Sequence, residues 1–313
     1  MVRHCASLVV LTVALASRCE GQVFTVVPIP LAKGPPGSVT TGYDGNLWFT
    51  TGAGNSVASL SVSGVFTQYA LPRPDSWPSR IMKGPNQSMW FIERYGVGRI
   101  DARGSVTEFS IPIRGAGAES ISAAPDGTLL VSGSIGGGGA FLAKVTGDGE
   151  FHVRTWPSWG QLSSHAVDRD GTVWLARPSE SLLSLLKPNG DVCDIPFLHA
   201  YIVHPRTPDG VCVIPLDGDA VICGDASGVF QTTMVDGAPE GLAEDTAGNL
   251  WVSAFVQNAL VVISPSGQLR SFQLPIPRAL ARTVTIGPDG AVWLLGARPP
   301  SAYRFQPPPE IPH

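Results

Sequence analysis

Asp44-Gly45-Asn46-Leu47-Trp48-Phe49 is the stretch on which the fold turns. An Asp-Gly turn signal leads through one small polar residue into an apolar-Trp pair, the pattern of a tight turn entering a buried strand. The phrase returns as PNQSMWF (Pro85–Phe91), DGTLLV (Asp126–Val131) and DGTVWL (Asp170–Leu175). It returns again as DGVCV (Asp209–Val213), AGNLWV (Ala247–Val252) and DGAVWL (Asp289–Leu294). The Trp-equivalent positions are Trp48, Trp90, Leu130, Trp174, Cys212, Trp251 and Trp293, spaced by 42, 40, 44, 38, 39 and 42 residues. A repeat in this range means stacked or radially arranged units, here seven of about 41 residues.

A second marker lies inside the units. A Gly turn precedes an alternating strand that commonly ends in Pro, as in SGVFTQYALP (Gly64), RGSVTEFSIP (Gly104) and SGQLRSFQLP (Gly267). Related copies follow Gly149, Gly190 and Gly228, which makes six rather than seven. The missing strand is at the start of the chain, where Gln22–Pro30 reads QVFTVVPIP. In the second unit the strands are A, Arg80–Lys83; B, Ser88–Glu93; C, Val97–Asp101; and D, Val106–Ser110. The chain is therefore expected to be all-β, a seven-bladed β-propeller over 22–306 with four-stranded blades. Its N-terminal strand completes the last blade and removes two open edges. An open β-solenoid is the alternative, and the split seventh unit argues against it.

Composition agrees. Gly 36 and Pro 28 in 313 residues exclude a long helical bundle. Eight Trp, twelve Phe and a 43% hydrophobic share exclude disorder. A net charge of −4 with no basic stripe argues against nucleic acid or an anionic membrane surface as partner.

Arg3 and His4 followed by the apolar run Cys5–Ala16 read as a signal peptide over 1–21, cleaved after Ala16 or Gly21. The run is shorter than the ~20 residues a membrane-spanning helix needs. A short buried helix or strand is the alternative. Residues 307–313 form a Pro-rich tail. The expected product is secreted or periplasmic, with no membrane span, and a monomer.

Cys212 and Cys223 each lie five residues out from the hairpin signal Asp217-Gly218. Opposed on strands B and C of the fifth unit, they are within disulfide reach. Two buried thiols filling the Trp vacancy are the alternative. Cys193 has no evident partner, and no Cys/His spacing resembles a metal site.

The D–A links carry a further style, in ALPRPDSWPSRIMKGPNQSMWFIE (Ala70–Glu93) and QLPIPRALARTVTIGPDGAVWLL (Gln273–Leu295). This resembles the repeat of streptogramin lyases, the virginiamycin B lyase family, whose blades look like x-E-F-x-L-P-T-P-x-S-x-P-H-G-I-x-x-G-P-D-G-x-L-W-F-T-E. The resemblance covers all seven units. It implies an elimination that linearises a cyclic depsipeptide at its ester bond, assisted by Mg²⁺. In that family, His residues of the late P-H-x-I loops are catalytic and nearby acids hold the metal. Here the sixth unit reads Pro239-Glu240-Gly241-Leu242 and the seventh Ala281-Arg282-Thr283-Val284. The P-H-x-I positions are Gly37, Ser79, Glu119, Ser163, Glu240 and Arg282, none of them His. An acid is also missing after Trp293, where the chain reads Leu294-Leu295-Gly296-Ala297. Mg²⁺ is expected only if lyase activity is retained; no other cofactor is evident.

D–A and B–C links emerge on one face of the blades, A–B and C–D turns on the other. The longer D–A links make their face the expected binding surface for a small molecule, peptide or glycan. Trp77, Glu93, Arg94, Tyr95, Trp159 and Arg177 are its candidate binding residues. Glu119, Glu240 and Arg282 are the weak catalytic candidates. Against these stand plainer readings: a rim ion pair for Glu93 with Arg94 or Arg114, a mutual pair for Glu240 and Arg282, and loop packing for Trp77, Trp156 and Trp159. His165 aligns with the first apolar residue of strand A and reads as a satisfied core histidine. The leading expectation is a ligand- or protein-binding propeller or diverged enzyme. The alternative is a Mg-dependent carbon–oxygen lyase of the virginiamycin B lyase type with a rearranged site, using Glu119, Glu240 or Glu93.

Overall fold

The computed structural model describes residues 24–31, 33–206, 210–216, 218–308 and 311. The signal peptide, both of its cleavage options, Cys5, Cys19, Asp217 and part of the Pro-rich tail lie outside them.

Strand β1 (Phe24–Pro28) is followed by the first sheet: β2 (Val39–Thr41), β3 (Leu47–Thr51), β4 (Ser56–Leu60) and β5 (Phe66–Ala70). The second is β6 (Ile81–Gly84), β7 (Ser88–Glu93), β8 (Gly96–Ile100) and β9 (Val106–Ser110). The third is β10 (Ala116–Ala123), β11 (Leu129–Ile135), β12 (Ala140–Val145) and β13 (Phe151–Trp156). The fourth is β14 (Ser164–Val167), β15 (Val173–Arg177), β16 (Leu182–Leu186) and β17 (Val192–Pro196). The fifth is β18 (Ala200–Pro205), β19 (Val211–Pro215), β20 (Ala220–Gly224) and β21 (Phe230–Met234). The sixth is β22 (Pro239–Glu244), β23 (Leu250–Ala254), β24 (Ala259–Ile263) and β25 (Leu269–Gln273), and the last three strands are β26 (Thr283–Ile286), β27 (Val292–Ala297) and β28 (Pro300–Phe305).

These make seven four-stranded antiparallel sheets, the seven-bladed β-propeller class. The seventh sheet has the order β1-β28-β27-β26, with Phe24 opposite Phe305 and Pro28 opposite Ser301. The N-terminal strand thus completes the last blade. In the second blade strands A (Ile81–Gly84) and C (Gly96–Ile100) each differ from expectation by one residue; Glu93 pairs with Gly96, which shortens the B–C turn to Arg94-Tyr95. Two compact units are present: 1–82, 102–106 and 240–313 in one, 83–101 and 107–239 in the other. No helix among the described residues is long and apolar enough to cross a membrane.

The repeated Trp explains the core. Trp90, Trp174, Trp251 and Trp293 are fully buried, and Trp48 is 5% exposed. Burying 150–250 Å² of indole contributes on the order of 4–6 kcal/mol before entropy. Each indole N–H is also satisfied. Trp48 donates to Asp44 (3.0 Å), Trp251 to Asp245 (2.8 Å), Trp293 to Asp289 (3.1 Å) and Trp90 to the Pro85 carbonyl (3.2 Å). In the first and seventh blades the turn Asp that announced the strand therefore also caps its Trp, while Asp168 and Asp245, just ahead of the turn, cap Trp174 and Trp251. Core clusters join neighbouring sheets within a unit; one unites Trp251, Phe272, Tyr303 and Phe305 with Ile311 of the Pro-rich segment.

Cys212 and Cys223 are opposed in the β19–β20 register and form a disulfide, with Cα atoms 4.0 Å apart. The alternative of two thiols is thereby excluded.

Candidate functional site: the D–A and B–C links

In the unit spanning 107–239, four side chains stack in one column. The Trp156 and Trp159 rings lie 4.3 Å apart and 5° from parallel. Arg154 covers the outer face of Trp156 at 4.8 Å, and Arg177 covers that of Trp159 at 4.1 Å. Arg177 ends β15 and is 6% exposed. Its guanidinium reaches Glu180 (2.8 Å), Ser184 (3.2 Å) and Asp194 (3.5 Å). Glu180 in turn accepts the Gly160 N–H at 2.7 Å, which pins the Trp loop to the B–C link. Burial opposes ionisation of Glu180, but the bonds from Gly160, Arg177 and Ser179 outweigh it and hold the carboxyl below its usual range. Both ring faces of Trp159 are covered by protein, so this column orders the loop.

The other sequence-derived residues are placed as follows. Glu93, read as a possible rim group, is 3% exposed and lies at the end of β7. Gly98 allows this, because a Cβ there would meet the Phe91 ring at 2.2 Å and Glu93 Oε1 at 2.9 Å. Arg94 and Tyr95 form the exposed B–C turn, the guanidinium 5.9 Å from the ring, and Tyr95 is 62% exposed. Trp77 adopts φ +49° and is 47% exposed. Glu119 sits at a β-bulge of β10, between Ala118 and Ser120 in the pairing with β11, and is half-buried. His165 is buried, with Ser122 Oγ at 2.7 Å from Nε2 and Ser132 Oγ at 2.7 Å from Nδ1, consistent with a satisfied core histidine.

Glu240 and Arg282 are brought together in the unit that contains 240–313. Their side chains pair at 3.1 Å, and the Arg282 guanidinium also lies 4.3 Å over the Phe255 ring. Gly241 makes the approach possible: a Cβ there would stand 2.9 Å from the Arg282 carbonyl oxygen. Burial pushes the Glu240 carboxyl above its usual value, and Arg282 offsets only part of that. Glu119 belongs to the other unit and is not part of this pair. Among the described residues, no group of three or more His, Cys, Asp or Glu is placed to hold a metal ion.

One feature escaped sequence reasoning. Phe197, Leu198 and His199 of a D–A link and Pro215 of the next B–C link line a cavity of about 430 Å³, with Ile222 and Phe230 behind them. Leu198 is 71% exposed. The signal was available: two consecutive large apolar residues, Phe197-Leu198, in a loop that needs neither for a strand.

The repeat style of these links has a counterpart among known proteins: the virginiamycin B lyase family model matches residues 12–203. The chain belongs to the virginiamycin B lyase family. One family relative, the virginiamycin B lyase of Nocardia farcinica (strain IFM 10152), is 31% identical over 99 residues, which is 31% of this chain and 35% of that protein. The matched segment is thus about a third of that relative's length. The selenomethionine-substituted virginiamycin B lyase of Staphylococcus aureus superposes with a TM-score of 0.82 at 16% identity, covering 92% of this chain and 100% of that one. A catalytically inactive histidine-to-alanine variant of the same S. aureus protein, solved with quinupristin, gives 0.81 at 16% identity over 91% and 100%. At these identities the structural likeness concerns the fold.

Proposed function

We propose that this family member is an exported binding propeller that has lost lyase chemistry and takes a small molecule, peptide or glycan on its D–A and B–C links. The observation that carries the reading is the Glu240–Arg282 pair at 3.1 Å. These two residues stand at the positions where the family motif has histidine. An arginine neither accepts a proton nor binds a cation at neutral pH, and the carboxylate beside it is engaged. The S. aureus relative made inactive by replacing one histidine supports the same conclusion. The apolar cavity at Phe197 and Leu198 supports binding on this face, and favours a ligand that presents an apolar group. Export, to a secreted or periplasmic location, is supported by the Cys212–Cys223 disulfide.

Two measurements test this. Incubation with virginiamycin B and Mg²⁺ is expected to leave the cyclic compound intact; turnover lost in Glu240→Gln would instead establish the rearranged lyase. Calorimetric titration with virginiamycin B is expected to show binding weakened in Leu198→Ser; unchanged affinity in that variant removes the cavity from the site.

A further inference from the structure

Three positions act together around the strand-B tryptophans. In three blades a glycine stands six residues before the indole and gives it room: a Cβ on Gly42, Gly84 or Gly287 would lie 2.3, 2.4 and 2.4 Å from Trp48, Trp90 and Trp293, whereas Asp168 and Asp245 stand there in the fourth and sixth blades and accept the indole N–H instead. A ring from the outer strand then stacks on the indole, Tyr69 on Trp48, Phe109 on Trp90 and Phe272 on Trp251. The third blade replaces all three. Ala124 stands six residues before Leu130, which takes the Trp position. The outer ring becomes Arg154: the pairing Thr50, Val57, Tyr69 across the first blade corresponds to Ser132, Leu142, Arg154 across the third.

The volume left open is a cavity of about 430 Å³ between the third and fourth blades. That is within the roughly 300–1,000 Å³ of small-molecule sites. It opens on the side of the A–B and C–D turns, away from the D–A and B–C links. Leu130, Leu142, Val173 and Leu186 make an apolar floor. Lys187, Arg154 and Lys144 stand at its rim, with Asp126 and Asp170. Lys144 neutralises Asp126, and Asp170 accepts the Thr172 N–H and hydroxyl. Arg154 lies over Trp156 and reaches the Gly190 carbonyl at 3.4 Å. Lys187 is exposed and has no carboxylate partner among the described residues. The balance is an apolar slot with surplus positive charge at its mouth.

We infer that this slot binds a planar aromatic carboxylate, its ring system placed where five of the other blades put their own indole and its carboxylate at Lys187 and Arg154. The site is separate from the D–A/B–C face and does not depend on the reading given for it.

The test is titration of the full chain with 2-naphthoate, with 2-naphthalenemethanol as the uncharged comparison. Saturable naphthoate binding is expected. Ala124→Gly with Leu130→Trp restores the blade's own indole and should weaken binding by about tenfold or more, a free-energy change near 1.4 kcal/mol. Lys187→Gln, and loss of the ligand's charge, should each weaken it up to about fivefold, as for one exposed ion pair. Undiminished binding in the double variant, or no binding by the native chain, overturns the assignment. If the double variant does not fold, amide shift changes in the native chain decide: changes centred on Leu130, Leu142 and Leu186 support the site, and changes centred elsewhere contradict it.

Discussion

Glu240 and Arg282, 42 residues apart in sequence and at equivalent places in successive blades, close a 3.1 Å ion pair at positions where the resemblance to the family repeat implies histidine. Burial raises the Glu240 carboxyl above the ordinary 4.5, and Arg282 is the one influence that lowers it. Arg282→Ala should therefore raise it further, read by carboxyl NMR titration. A lower value in that variant would contradict the pairing. A raised acid binds its proton more tightly in the fold than in the unfolded chain. Its contribution is fully present below 4.5 and is lost as pH rises through the folded value. Glu240→Gln should accordingly flatten the fall in stability above pH 4.5.

Arg177 holds the Trp loop to the fourth blade through Glu180, Ser184 and Asp194, and caps Trp159. Bonds to charged groups contribute roughly 1.5–3 kcal/mol each. The partners are partly solvated, so Arg177→Met should cost about 2–3 kcal/mol in total, measured by denaturant unfolding. A cost below about 0.5 kcal/mol would assign the column no structural role.

The disulfide between Cys212 and Cys223 closes a short loop across a B–C hairpin. Replacing both cysteines with serine should lower stability by about 2–4 kcal/mol. Unchanged thermal unfolding in the double variant would show that β19–β20 pairing suffices without the bond.

Much of this molecule is legible from its repeat. Turn chemistry recurs along the chain and a buried Trp in five of seven blades, so strand order, the completing strand at Phe24–Pro28 and the Cys212–Cys223 register all follow from position alone. The Glu240–Arg282 pair follows for the same reason, since equivalent positions in neighbouring blades lie side by side. What the repeat does not encode is less visible. Trp156 ends β13 and Trp159 follows it in a link without a period, and their covering arginines come from β13 and β15. Glu93 reads as a surface acid because burial at a strand end depends on Gly98 across the hairpin. Leu130 marks a departure from the Trp pattern, but its cavity depends on Ala124 and Arg154 as well, and the latter is assigned only once the sheet register is known.

The chemistry at positions 240 and 282 decides between a binding propeller and a lyase. The direct measurement is liquid chromatography with mass spectrometry of virginiamycin B incubated with the purified chain and Mg²⁺. Elimination at the ester opens the ring without changing mass, so the diagnostic is a new peak of the same mass with shifted retention and open-chain fragmentation. The prediction is a single unchanged cyclic peak over many hours. Time-dependent growth of the open isomer, abolished by Glu240→Gln, would contradict it.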